Sequence, residues 1–223
     1  QWFRDVYLSS SKIFFSLEQN KPRIRQQDKT KYSFKIKMTI IGITGSLASG
    51  KSTVAKLIAK KKYPLFSADK IVLDLYNNKK FIKLITKKFK LSNDKKIKNQ
   101  IKLIVKKNKN KLNMLESIIH PLVRKEINNF LKIKSKILVL EIPLLIEKKL
   151  NKLFDKIIFV DAKKKIRLKR YLNSKNDKQI FKILNKRQLA PVIKKKVCDL
   201  IIHNNYSLDI LKDNVKKFTK YYE

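Results

Sequence analysis

Short apolar runs alternate along this chain with longer stretches in which apolar positions recur every three or four residues. The first run, Thr39-Ile40-Ile41-Gly42-Ile43-Thr44, is rich in β-branched residues and has no polar face, the pattern of a strand buried in a parallel sheet. Val54, Leu57 and Ile58 follow at helical spacing. A second short run, Tyr63-Pro64-Leu65-Phe66-Ser67, leads into a helix carrying Ile71, Val72, Leu75 and Tyr76. From about 71 to 132 the pattern is helical and lysine-rich, without glycine and with Pro121 as its one proline, which reads as an inserted helical unit. Ile137-Leu138-Val139-Leu140-Glu141, Lys156-Ile157-Ile158-Phe159-Val160-Asp161 and Asp199-Leu200-Ile201-Ile202-His203 read as further strands, with Pro143 turning the chain outward after the first of them. Strands alternating with helical segments predict an α/β fold with three layers, a parallel sheet of about five strands covered on both faces.

All three glycines of the chain, Gly42, Gly45 and Gly50, fall where the first strand gives way to the first helix. From Gly45 the spacing is glycine, four residues, then Gly50-Lys51-Ser52, the pattern of a phosphate-cradling P-loop in its required strand-to-helix setting. Glycine permits backbone conformations that turn successive N–H groups toward one anion, and the helix presents the positive end of its dipole to that anion. Gly45, Ser46, Ala48, Ser49, Gly50, Lys51, Ser52 and Thr53 are therefore expected to cradle the phosphates of ATP. In this reading Lys51 reaches the β- and γ-phosphates and Ser52 holds Mg²⁺. A chance glycine turn before a helix would account for neither the lysine nor the hydroxyl.

Composition changes the picture little. A chain of 223 residues that is 43% hydrophobic can bury one core around a single sheet, and no second domain is called for. No apolar run reaches the roughly 18 residues of a membrane span. The lone Cys198 excludes an internal disulfide framework, which fits a reducing cytoplasm. A net charge of +39 invites a nucleic-acid reading. Only seven of the 56 basic residues are arginine, however, and the lysines are spread along the whole chain among Ile and Asn, as in a genome favouring A/T-rich codons. No specific nucleic-acid partner is expected, and long-range attraction of anionic substrates is the better account of the charge. No membrane or protein partner is called for, and a monomer is expected. Residues 1–37 hold the only Trp and begin at Gln1, while Met38 directly precedes the first strand, so they read as an upstream extension without a catalytic role. Asp5, Glu18 and Asp28 argue against a targeting peptide there.

Asp69 lies at the carboxyl end of the second strand, the edge that lines the ligand crevice in an open α/β sheet. On position alone it serves equally as a carboxylate facing the phosphate loop or as a helix N-cap. His120, within Leu115-Glu116-Ser117-Ile118-Ile119-His120-Pro121-Leu122-Val123, is on its own more often a packing or capping residue than a catalyst.

Together these residues resemble one family, the dephospho-coenzyme A kinases. The resemblance covers roughly 38 to 215. It rests on the P-loop, Ala68-Asp69-Lys70-Ile71, the His120-Pro121-Leu122 segment and Pro143-Leu144-Leu145-Ile146-Glu147. It also takes in Leu168-Lys169-Arg170, Arg187-Gln188 and Leu200-Ile201-Ile202-His203-Asn204-Asn205. The resemblance implies transfer of the γ-phosphoryl group of ATP to the ribose 3′-hydroxyl of dephospho-coenzyme A, the last step of coenzyme A synthesis. It makes Asp69 the favoured group for orienting or deprotonating the acceptor, with Lys51 as its catalytic partner. It implies a lid at about 163–187 in which Arg170 and Arg187 contact ATP. It further implies substrate contacts from His120, Pro143 and Leu144.

Three departures stand out. Ser67-Ala68-Asp69 replaces a common Asp-Ala-Asp, Asn173-Ser174-Lys175-Asn176-Asp177 stands where an Arg-Asp pair is usual, and Tyr206 replaces a glycine after the Asn pair. The second aspartate is expected to suffice. A different small-molecule kinase would keep the loop and lid but should lack the His-Pro-Leu and Pro-Leu-Leu-x-Glu segments. A nucleic-acid-dependent ATPase would use the charge, but nothing beyond composition supports it.

Overall fold

In a computed structural model of the chain, residues 38–92, 97–174, 177–186 and 188–220 are described. Residues 1–37, read above as an extension, lie outside that set. Five strands, β1 (Thr39–Gly45), β2 (Leu65–Ser67), β3 (Ile137–Glu141), β4 (Lys156–Asp161) and β5 (Leu200–His203), form one sheet in the order β2-β3-β1-β4-β5. Every pairing is parallel. The two-residue alternation decides which core each side chain joins. Ile41, Ile43, Val139, Ile158 and Val160 face one layer, packed with Val54, Ala55 and Ile58 of helix α1 (Lys51–Ala59) and Leu211 and Val215 of the last helix. Leu138, Leu140 and Ile157 face the other. Both faces are covered, which is why these strands read as continuous apolar runs.

The helices of the second layer follow their sequence periodicity. They are α2 (Ala68–Leu75), α3 (Lys79–Phe89), α4 (Ile97–Lys107) and α5 (Lys109–Phe130). In α3, Phe81, Ile85 and Phe89 recur at four-residue spacing and are buried, and the Asn78 side chain caps the helix by accepting from the Phe81 N–H at 3.1 Å. In α5, Leu112, Leu115, Ile119, Val123 and Ile127 form the buried stripe. This helix runs through Pro121, whose missing N–H leaves the Ser117 carbonyl without its usual helical donor. The apolar stripes of α3 and α5 meet in one core with the sheet face, so the inserted unit is packed onto the sheet.

Helices α6 (Lys164–Asn173), α7 (Lys178–Lys186) and α8 (Pro191–Val197) connect β4 to β5, and α9 (Leu208–Thr219) closes the fold. The connection leaving β1 runs to β2 at one edge, while that leaving β4 runs to β5 at the other. A crevice opens between the carboxyl ends of neighbouring strands whose connections diverge, and the glycine loop emerges there.

Candidate active site

The phosphate loop leaves β1 at Gly45 and enters α1 at Lys51. Two of its residues hold left-handed backbone, Ala48 at φ 58° and Gly50 at φ 93°. A non-glycine residue held there costs about 1–2 kcal/mol, a strain typical of functional loops. Gly50 is required on a second count, because a Cβ at this position would lie 2.2 Å from Asn204 Nδ2. At Gly45 a Cβ would lie 2.5 Å from the Val160 carbonyl oxygen. Lys51 is only 8% exposed, and its ammonium donates to the Ser46 carbonyl at 3.0 Å, so the charge lies along the loop it serves.

One carboxylate joins this loop to the edge where Asp69 sits. Glu141, at the end of β3 and 2% exposed, accepts from Ser52 Oγ at 2.6 Å and from Ser67 Oγ at 2.9 Å. Ser67 closes β2 and is the N-cap position of α2, so the capping alternative for Asp69 is not what the chain adopts. Asp69 instead lies buried in the first turn of α2, two residues beyond the hydroxyl tied to Glu141. The position at which the chain lacks an aspartate is thus bridged to a carboxylate on the neighbouring strand.

The far side of the loop is held by arginine and amide groups. Arg167, on α6 and 4% exposed, donates to the Leu47 carbonyl at 3.2 Å, the Ala162 carbonyl at 3.1 Å and Asn185 Oδ1 at 2.9 Å. Burial lowers its pKa, but a guanidinium remains charged. The Leu47 N–H donates to Gln188 Oε1 at 2.9 Å. Arg170, the predicted ATP contact, donates to the carbonyl and side-chain oxygens of Asn204 at 3.1 and 3.2 Å, and Asn204 Nδ2 donates to the Ser49 carbonyl at 2.9 Å. It therefore reaches the loop through Asn204. Arg187 lies outside the described residues.

The three expected substrate contacts are buried. The Pro143 carbonyl accepts from Thr44 Oγ1, just before the phosphate loop, at 2.9 Å, and the Leu144 carbonyl accepts from the Lys148 N–H at 3.0 Å. His120 lies on α5 at 2% exposure; burial, reinforced by the positive charges of Lys148 and Arg124, pushes its pKa down to about 3. It is neutral at physiological pH.

Five contributors escaped the sequence reading. Glu141 could have been suspected as the one charged residue ending an otherwise apolar strand. Ser67, Arg167, Gln188 and Asn204 carry no comparable signal, because their partners are brought to them by the fold.

Residues 39–209 match the family model described as dephospho-CoA kinase. The chain belongs to the dephospho-CoA kinase family. It is accordingly a kinase, a transferase acting in the last step of coenzyme A biosynthesis. A dephospho-CoA kinase of Fusobacterium nucleatum is 35% identical over 188 residues, spanning 80% of this chain and 96% of the relative. One from Bartonella quintana is 37% identical over 180 residues, spanning 77% and 92%. Among solved structures, a dephospho-CoA kinase from Campylobacter jejuni superposes with a TM-score of 0.59 at 26% identity, covering 83% of this chain and 98% of its own. A Thermus thermophilus protein gives 0.67 at 27% identity, covering 82% and 97%. The family's P-loop architecture implies use of ATP. Among the described residues, no helix is long and apolar enough to cross a membrane.

Proposed function

We propose that Asp69, Lys51 and the loop amides carry the transfer of the γ-phosphoryl group of ATP to the ribose 3′-hydroxyl of dephospho-coenzyme A, in the cytoplasm. The observation that carries this reading is the Glu141 bridge, which ties the phosphate loop to the strand end that presents Asp69. The 3′-oxygen bonds to the γ-phosphorus as the bond to the β–γ bridging oxygen breaks. ADP leaves with that oxygen, and the acceptor's proton passes to the Asp69 carboxylate. Backbone N–H groups of Ser46, Ala48, Gly50, Lys51 and Ser52, those of the loop not already given to Gln188 or to the loop's own carbonyls, and the Lys51 ammonium neutralise charge on the phosphoryl oxygens.

Magnesium fits the residues present. Ser52 Oγ and the Glu141 carboxylate form a hard, all-oxygen donor set beside Lys51, and these two residues would hold the ion. When bound, Mg²⁺ screens the negative charge of the β- and γ-phosphates. Helices α6 and α7 act as the lid, with Arg167 and Arg170 as its cationic roots beneath the closed site. Helices α2 to α5, with neutral His120, form the seat for the pantetheine-bearing substrate.

The test is coupled ADP release on the chain from Met38 onward, with Mg·ATP and dephospho-coenzyme A. Lys51→Ala and Asp69→Asn should each lower kcat/KM by about 10²–10³-fold. ADP release that needs another acceptor, or that survives in Asp69→Asn, would overturn the assignment.

A further inference from the structure

Outside the reaction centre, Glu147 takes part in a buried ion pair. This residue ends the Pro143-Leu144-Leu145-Ile146-Glu147 turn after β3, and its Oε1 is paired with the ammonium of Lys194 on α8, a side chain with no exposure at all. The same oxygen accepts the backbone N–H of Leu189 at 3.1 Å. Leu189 follows Gln188, whose side-chain oxygen accepts from the Leu47 N–H of the phosphate loop. Residues 188–190 belong to neither helix nor strand, so regular backbone hydrogen bonding does not fix them. Taking two charges out of water is a poor route to stability, since an apolar pair of similar size commonly does as well. What the pair supplies that an apolar pair cannot is a fixed acceptor for one particular N–H.

We propose that Glu147 is a positioning residue for the phosphate loop: by holding Leu189 it places Gln188, and Gln188 fixes the peptide at Leu47. The buried Lys194 ammonium, paired with the same oxygen, keeps the Glu147 carboxylate aimed at that N–H. Arg167 holds the carbonyl of Leu47, so both polar groups of this residue are fixed from the α6–α8 side of the sheet. Glu147 therefore sets the affinity for the triphosphate and leaves the acceptor's seat alone. This inference rests on the reading of the loop as the ATP seat.

The experiment measures binding of Mg·AMP-PNP by calorimetry and both KM values by ADP release, with a thermal melt of each variant so that affinity is read on folded protein. Glu147→Leu with Lys194→Met avoids leaving one buried charge unpaired. It should weaken Mg·AMP-PNP binding and raise KM for ATP by about tenfold, the equivalent of one ordered hydrogen bond, with KM for dephospho-coenzyme A within about twofold. Glu147→Gln with Lys194→Met, which keeps an oxygen opposite the Leu189 N–H, should recover most of that affinity. Gln188→Ala should reproduce the tenfold loss and add nothing further in the Glu147→Leu, Lys194→Met background. Unchanged binding in the apolar pair, an equal rise in both KM values, or full additivity with Gln188→Ala each overturns the proposal. Lys51→Ala separates the two readings: if it leaves binding intact the ATP seat is elsewhere, whereas lost binding there beside unchanged binding in the apolar pair defeats only the role of Glu147.

Discussion

Replacing Gly50 with alanine tests how tightly the phosphate loop is built into its surroundings. At φ 93° any L-residue costs about 1–2 kcal/mol relative to glycine. The added Cβ would also meet Asn204 Nδ2 at 2.2 Å, and that amide is not free to move aside. Asn204 is buried, its backbone N–H donates to the Asp161 carbonyl at 2.7 Å, and its side chain joins the Ser49 carbonyl to the Arg170 guanidinium. Turning the amide away gives up one neutral hydrogen bond, worth about 1 kcal/mol, and one to a charged donor, worth about 1.5–3 kcal/mol. Alanine's stiffer unfolded chain returns about 0.4–1 kcal/mol. A net loss of about 3–5 kcal/mol follows, measurable by urea unfolding followed by far-ultraviolet circular dichroism. In an Asn204→Ala background the overlap disappears, so the same substitution should cost only about 0–1.5 kcal/mol, the conformational share less the gain through the unfolded chain. A cost below about 1 kcal/mol in the native background, or the same cost in both, would refute the steric account of Gly50.

Two further predictions follow from buried groups. Glu141→Gln keeps an oxygen for one of the Ser52 and Ser67 hydroxyls, sets an amide donor beside the other and removes the charge, so the Mg²⁺ concentration giving half-maximal ADP release should rise about 10–100-fold; an unshifted Mg²⁺ titration would remove Glu141 from the metal site. The low pKa of His120 makes stability depend on pH. The unfolded chain binds this proton near pH 6.5 and the folded chain only near 3, so stability is full above 6.5 and falls as pH drops, by up to about 1.4 kcal/mol per unit. Between pH 6.5 and 5, where few carboxylates titrate, unfolding curves of the native protein should show this slope and those of His120→Gln should not; identical slopes would mean that His120 is not held neutral by the fold.

The hydrophobic pattern alone determined the elements and their class. Continuous apolar runs such as Ile137–Leu140 could be satisfied only by a sheet covered on both faces, and the four-residue repeat of Phe81, Ile85 and Phe89 only by a helix laid on a core. The phosphate loop was legible for the same local reason: glycines, lysine and hydroxyl act within one short segment, so their spacing encodes their geometry. Asp69 was only half legible, because a carboxylate beginning a helix suits a cap as well as a site, and the choice fell to Ser67 when β2 paired with β3. Arg167, Gln188 and Asn204 had no local signature of the contacts they make, and Glu141 had only its charge at the end of an apolar strand. Each acts on a group 89 to 155 residues away in the chain, and such partners are chosen by strand order and helix packing. Tertiary structure alone decided that the serine standing for an aspartate would be joined to a glutamate on the next strand, because only the parallel register of β2 and β3 sets Ser67 opposite Glu141.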